Sequence, residues 1–189
     1  ITNGREIRVA KRSGLILGLS EAKEGDVIML GDVDEIPHPE SVQHYPNPTT
    51  CVNDFFYYYV NNKSMGPQDA QWLGTCFVPF NRLNEFPHFE KMRGSRERFN
   101  LIKSGWHLSY MGGKEMIQNK IKTISHTEYN NENYYNDKHI DECLLNGKDI
   151  FKRDTMNFKL INPIDYYPDY IIDIFKEYKG FIYDSQEAN

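Results

Sequence analysis

The sequence lacks the features that define several large protein classes. No apolar run approaches the roughly 18–20 residues that span a bilayer. The formal net charge of −5 argues against a nucleic-acid partner, which requires a basic surface. The 3 cysteines are widely spaced and odd in number, so they indicate neither a zinc pattern nor a disulfide framework. We therefore expect one domain over residues 1–189, with no transmembrane segment and no nucleic-acid partner.

The most informative stretch, residues 27–37, joins a short apolar run to a cluster of acids. Residues 27–30 are all apolar and too few for a helix, which predicts a buried strand. Asp32, Asp34 and Glu35 follow at once. Because side chains alternate along a strand, we expect Asp32 and Asp34 to project from the same side.

Two carboxylates held this close repel each other unless a positive charge lies between them. Hard oxygen ligands at the end of a buried strand suit Mn²⁺ or Mg²⁺, and such a cation can hold a substrate diphosphate. The alternative interpretation is a solvated turn between strand and loop. The apolar strand and the third acid favour the metal site.

Hydrophobic patterns along the chain predict strands and helices in mixture. The strands are predicted at residues 27–30, 52–60, 72–80 and 106–110, and the helices at residues 5–22, 114–124, 168–178 and from Asp137 to the residue before Gly147. Residues 81–104 are polar and irregular, as expected of loop, short helix or a mobile lid. The fold class is therefore α/β, with a mixed sheet that is parallel first and antiparallel later.

Further candidate residues follow in the second half of the chain. His107 lies on a predicted strand and is either a metal ligand or a structural residue. Glu115 begins a predicted helix, as a general base or merely a cap. His126 and Glu128 are a second ligand pair, a base with its orienting partner, or a polar loop.

Taken in order, these motifs resemble glycosyltransferase family 17, the group containing the β-1,4-mannosyl-glycoprotein N-acetylglucosaminyltransferase that adds the bisecting residue to N-glycans. The resemblance covers roughly residues 5–150. The motifs are Gly31-Asp32-Val33-Asp34-Glu35-Ile36-Pro37, Gly105-Trp106-His107-x-Ser109-Tyr110-x-Gly112-Gly113, Lys120 and Ser125-His126-x-Glu128. Such a resemblance implies a GT-A-like fold, a nucleotide-sugar donor (UDP-GlcNAc in the animal enzyme), a glycan acceptor, a divalent metal and inversion at the anomeric carbon.

The same resemblance implies roles for individual residues. Asp32 and Asp34 hold the metal-diphosphate, and either His107 or His126 completes the metal shell. Glu115, with Glu128 as the alternative, takes the proton from the acceptor hydroxyl. The cations that offset leaving-group charge are Lys120, Arg93 and Arg96. The side chains that line the acceptor groove are Trp72, Trp106, Tyr58 and Tyr110.

One departure from the family concerns the start of the chain. Family members carry upstream strands of the nucleotide-binding half, whereas this chain begins almost at the acidic strand. We expect those strands to lie outside residues 1–189 or the fold to close differently. The resemblance implies a cytoplasmic location for a bacterial or viral protein and the Golgi lumen for a eukaryotic one.

Two other functions fit parts of the pattern. A haloacid-dehalogenase-like phosphatase would use Asp32 as its nucleophile. That family wants Thr or Val two positions after the second acid, where this chain has Ile36. A non-catalytic carbohydrate-binding domain would use the aromatic residues, 14% of the chain, as a stacking surface and the acids for a structural Ca²⁺.

Overall fold

The structure is a computed structural model that describes residues 14–66, 72–123, 127–153, 156–178 and 180–183. In these ranges seven strands form one sheet: β1 (Val27–Leu30), β2 (Glu35–Ile36), β3 (Thr49–Tyr57), β4 (Asn62–Ser64), β5 (Trp72–Pro79), β6 (Asn100–Ser109) and β7 (Phe158–Leu160). The strand order is β1-β5-β3-β4-β7, and β6 pairs with both β2 and β3. Strands and helices are mixed along the chain, which confirms the α/β class.

The helices of the described ranges are mostly short. The α-helices are α1 (Phe89–Gly94), α2 (Gly113–Thr123), α3 (Glu132–Tyr135), α4 (Asp137–Asn146) and α5 (Asp169–Glu177). The 3₁₀ helices are Gly14–Leu19, Pro39–Ser41, Phe80–Glu85, Arg96–Arg98, Thr127–Tyr129 and Pro163–Asp165. Among all of these helices, none has the length and apolar character needed to cross a membrane.

Helix predictions from periodicity are largely confirmed. Helices α2 and α5 lie within one residue of the predicted ends. Helix α4 begins at Asp137 as predicted, but the capping side chain is Asn136, which accepts the backbone N–H of His139 at 2.9 Å. Gly147 ends this helix with a φ of 60°. Of the helix predicted over residues 5–22, Gly14–Leu19 is a 3₁₀ helix, and residues 5–13 lie outside the described ranges.

Strand predictions needed three corrections. Strand β3 covers Thr49–Tyr57 rather than residues 52–60. Strand β6 begins at Asn100, so residues 100–104, predicted as loop, are strand. Pairing with β2 and β3 stabilises this strand, whose first residues show no clear strand pattern in the sequence. Strand β1 pairs antiparallel with β5, with Val27 opposite Pro79 and Leu30 opposite Cys76. The prediction that the sheet begins with parallel pairing is therefore wrong for this strand.

The chain divides into two compact units. The first unit comprises Ile1–Asn53 and Leu73–Trp106, and the second comprises Asp54–Trp72 and His107–Asn189. The core of the first unit contains Leu30, Cys76, Val78, Phe89 and Met92. The core of the second unit contains Phe55, Tyr57, Tyr58, Tyr110, Ile117, Ile121, Ile140, Cys143 and Ile150.

Candidate active site

The acidic segment of the first unit is a turn rather than a continuation of the strand. Strand β1 ends at Leu30, and the backbone N–H of Glu35 donates to the carbonyl of Asp32 at 2.9 Å. Val33, at the tip of this turn, is fully exposed. The prediction that Asp32 and Asp34 project from the same side of a continuing strand is therefore wrong, because the strand ends before them. Both acids belong to one four-residue turn, which we call the acidic turn (residues 32–35).

A glycine is required where the strand enters the acidic turn. A Cβ atom on Gly31 would lie 2.1 Å from Thr75 Oγ1. That hydroxyl is itself in use, because it donates to the carbonyl of Glu35 at 2.8 Å. Any larger residue at position 31 would displace the bond that holds the far end of the turn.

The third acid, Glu35, anchors the turn from inside the protein. Its side chain is 0% exposed. Arg93, also buried, binds it with two hydrogen bonds, Nη1 to Oε2 at 2.8 Å and Nη2 to Oε1 at 2.5 Å. The backbone N–H of Asp32 also donates to Glu35 Oε2, at 3.0 Å. A buried carboxylate without such compensation would destabilise the fold, so the pair fixes the shape of the turn.

Arg93 also reaches the first acid of the turn. Its Nη2 lies 2.6 Å from Oδ2 of Asp32, whose side chain is 48% exposed. Burial alone would lower the pKa of Arg93, but hydrogen bonding and the charge of Glu35 outweigh it and raise the pKa above its ordinary value. Arg93 therefore stays charged and restrains Asp32 at the protein surface.

Arg96 completes the group. Its Nη1 lies 3.5 Å from Glu35 Oε1 and donates to the carbonyls of Leu73 and Gly74, the latter at 3.2 Å. The two guanidinium groups thus face the carboxylates of Glu35 and Asp32, and Asp34 belongs to the same turn. The structure brings together four of the predicted site residues here: Asp32, Asp34, Arg93 and Arg96.

The donor set at the acidic turn fits only part of a metal shell. Across the described ranges no group of three or more His, Cys, Asp or Glu side chains is placed to hold a metal ion. Glu35 is committed to Arg93, which leaves the two aspartates of the turn as protein ligands. Mg²⁺ is commonly bound by one or two carboxylates, with water and substrate phosphates supplying the rest. Two aspartates would therefore supply only part of the ligand shell of a divalent cation, and water or substrate would have to supply the rest.

The predicted aromatic residues lie mostly in the protein interior. Trp106, in the first unit, is 5% exposed, and its ring centroid lies 5.6 Å from that of His38. In the second unit the ring of His107 stacks on Trp72, with centroids 4.2 Å apart and planes 1° apart. Phe55 lies 4.9 Å from the same imidazole. His107 is thus a buried member of an aromatic stack, and His126 lies outside the described ranges.

Two tyrosines of the second unit have an unusual backbone conformation. Tyr58 and Tyr110 directly follow β3 and β6 and have φ angles of 66° and 58°. Residues other than glycine seldom adopt this left-handed region, and such residues concentrate at functional sites. The N–H of Tyr58 donates to the carbonyl of Ser109 at 3.0 Å, which ties the two strand ends together. Tyr58 is fully buried, whereas Tyr110 retains 6% of its exposure.

Several predicted residues of the second unit share one neighbourhood. Lys120 Nζ lies 4.6 Å from the ring centroid of Tyr110, and Phe151 contacts the same ring at 5.6 Å. The ring of Tyr129 packs on Phe151, with centroids 4.2 Å apart. The exposed Glu128 directly precedes Tyr129 in the chain. Neither Tyr129 nor Phe151 could be recognised from the sequence, because no local pattern separates them from other aromatic residues.

Glu115 lies in the first turn of α2, and its side chain is exposed. The two residues Gly112 and Gly113 that lead into this helix have φ angles of 91° and 79°. Only glycine adopts such angles at low cost, so the pair sets the direction in which α2 begins. Position and exposure leave the Glu115 carboxylate accessible to solvent.

Comparison with known proteins supplies the class of enzyme. Residues 4–162 match the family model described as Glycosyltransferase family 17. The protein is therefore a glycosyltransferase, and the match covers well over half of the chain. The chain belongs to glycosyltransferase family 17. Comparison with curated proteins and with solved structures gives no match. Family membership favours the transferase over the phosphatase and the non-catalytic binding domain.

Proposed function

We propose that the protein is a metal-dependent inverting glycosyltransferase that moves N-acetylglucosamine from UDP-GlcNAc to a glycan acceptor. Within this proposal residues 1–189 act as one catalytic domain of GT-A type. Family membership supports the transfer reaction itself. The construction of the acidic turn supports the choice of a metal-bound nucleotide diphosphate as the donor.

The observation that carries the proposal is the clamp of Arg93 on both Glu35 and Asp32. A buried arginine that binds both the buried Glu35 and the half-exposed Asp32 fixes the turn to which Asp32 and Asp34 belong. Asp32 and Asp34 would hold Mn²⁺ or Mg²⁺ together with the donor diphosphate. When bound, that cation supplies positive charge to the diphosphate as it leaves the sugar. Arg93 acts as a positioning residue because it is already committed to the turn.

On the acceptor side, a carboxylate must take the proton from the attacking hydroxyl. Glu115 is the first candidate because it is exposed at a helix start, and Glu128 is the second. Lys120 is the candidate cation near the acceptor, and Tyr110, whose ring it covers, is the candidate sugar contact. Trp72, Trp106 and Tyr58 stay predictions as groove residues, as do His107 and His126 as metal ligands.

A thermal-shift experiment with two matched variants tests the proposal. UDP-GlcNAc at about one hundred times its Kd should raise the melting temperature by about 5–10 °C, and only when Mn²⁺ is present. Asp34→Asn should abolish this shift. Asp26→Asn is the control, because it makes the same change elsewhere in the same unit. In the protein the N–H of Lys23 donates to Asp26 Oδ2 at 2.9 Å, and the side-chain oxygen of an asparagine can still accept this bond. An unchanged, Mn²⁺-dependent shift in Asp34→Asn would contradict the assignment of the turn.

A further inference from the structure

The first unit contains a second concave site, separate in its lining from the acidic turn. It is a shallow pocket of about 520 Å³. Its principal side chains are Arg82, Glu85, Phe86, Lys91, Arg98 and Phe99, and we call it the basic pocket. No residue of the acidic turn lines it. Its volume falls within the range of small-ligand sites.

One wall of the basic pocket is a preformed ion pair. Arg82 donates from Nε and Nη2 to the two carboxylate oxygens of Glu85, at 2.6 and 2.9 Å. Its Nη1 donates to Oδ1 of Asn47 at 2.7 Å. The guanidinium is therefore held at three points and its charge is balanced by Glu85. Glu85 is the one acid among the described residues that line the pocket, and both of its carboxylate oxygens bind Arg82.

The two other positively charged side chains of the pocket, Lys91 and Arg98, have no such carboxylate partner in the described ranges. Lys91, on α1, and Arg98, in the following 3₁₀ helix, line the pocket with exposed side chains. Within the part of the chain that the structure describes, neither forms an ion pair with a carboxylate. The pocket thus has two uncompensated positive charges, in a chain whose formal net charge is −5. Such a local excess of positive charge attracts and retains an anion.

Two aromatic rings also line the basic pocket. Phe86 and Phe99 pack edge to face, with centroids 5.5 Å apart and an interplanar angle of 69°. Both rings are half-buried, so each presents an apolar surface to the pocket. A ligand that uses the whole pocket carries an anionic group together with a compact body that has an apolar face. A sugar ring with a phosphate or carboxylate has this chemistry.

We propose that the basic pocket binds an anionic saccharide, with Lys91 and Arg98 holding its phosphate or carboxylate and the two phenylalanines contacting its ring. Binding does not depend on the proposed function. The role of that saccharide as part of the acceptor does rest on it. The pocket would then select acceptors that carry an acidic residue beside the sugar that is modified.

A binding titration on the full chain tests this proposal without any transfer reaction. Calorimetry at low salt would compare glucose 6-phosphate, glucuronate, inorganic phosphate, glucose and UDP. We expect one of the two acidic sugars to bind more tightly than inorganic phosphate and glucose to give no signal. Lys91→Gln with Arg98→Gln should weaken the acidic sugar by about tenfold or more, since two charge-assisted contacts are lost. Both residues are exposed, so the variant should fold, which circular dichroism checks.

The matched control removes two other exposed charges of the same unit, Lys23→Gln with Lys103→Gln, and should change the affinity by less than about twofold. Equal weakening in both double variants, or none in Lys91→Gln with Arg98→Gln, would overturn the site. UDP binding that falls as much as that of the acidic sugar would show a nucleotide subsite instead and overturn the saccharide assignment. Because no donor is consumed, this outcome is independent of the Asp34→Asn result.

Discussion

Removing the guanidinium of the buried Arg93 should destabilise the protein strongly. In Arg93→Met the Glu35 carboxylate, 0% exposed, would lose both of its strong hydrogen bonds while remaining buried. Breaking one side of a buried ion pair costs about 3–5 kcal/mol. Arg96 stays 3.5 Å from Glu35, so we expect the lower end of this range, about 3 kcal/mol. That is a large part of the roughly 5–15 kcal/mol that stabilises a domain.

Urea unfolding, followed by circular dichroism and fluorescence together, measures this loss. With a slope of about 1–3 kcal/mol per M, the midpoint should fall by about 1–3 M. Arg82→Met is the control, because the Arg82–Glu85 pair has the same two-point geometry but lies in solvent. Its midpoint should move far less.

A double-mutant cycle tests the cause of the effect. Adding Glu35→Gln to Arg93→Met removes the buried charge, so the pair of changes should cost about 2 kcal/mol less than the sum of the single changes. A loss below about 1 kcal/mol for Arg93→Met alone would refute the reasoning, because Glu35 would then not depend on its arginine.

Three further predictions follow from other parts of the chain. Gly105→Ala should lower the melting temperature by several degrees, because the φ of Gly105 is 74° and a Cβ atom would lie 2.1 Å from the carbonyl oxygen of Ile36. Gly94→Ala is the control and should not lower the melting temperature, because a Cβ atom there meets open space. Glu115→Gln should reduce the rate of sugar transfer by about 10²–10⁴, with KM nearly unchanged and Glu128→Gln much less affected; the reverse pattern would assign the base to Glu128. Burial raises the pKa of three thiols from 9.0 to about 11, 12 and 11, those of Cys51, Cys76 and Cys143. Because the unfolded thiols ionise first, stability should be fully present below pH 9 and decline as the pH rises towards 11–12; a urea midpoint unchanged between pH 8 and pH 10.5 would contradict this.

The elements that could be predicted from sequence are those specified by local patterns. Helices α2 and α5 have apolar residues at helical spacing, and β1 is a bounded apolar run, so their ends were found within one residue. The first part of β6 could not be found in this way. Residues 100–104 combine the apolar Leu101 and Ile102 with three polar residues and lie in an otherwise polar stretch, so no clear strand pattern marks them; they form a strand beside β2 and β3. That information is in the tertiary structure.

The candidate site shows the same division. The sequence identified Asp32 and Asp34 as a pair, since the motif is contiguous. It could not place Glu35 inside the protein, because its partner Arg93 is 58 positions away. The stack of His107 on Trp72 joins residues 35 positions apart and was equally hidden. Long-range partners of polar residues leave no periodic signal, so a motif predicts the residue types of a site better than their environments.

The acidic turn nevertheless satisfies the physical requirement from which the metal site was first inferred. Neighbouring carboxylates need a positive charge between them, and the sequence alone suggested that a cation supplies it. In the structure Arg93 supplies it, through Glu35 on the buried side and Asp32 on the exposed side. Arg93 and Glu35 therefore hold the turn through the protein's own side chains. In the proposed function the cation would serve to bind the donor diphosphate, so we expect removal of divalent metal to abolish the donor-dependent thermal shift without lowering the stability of the donor-free protein.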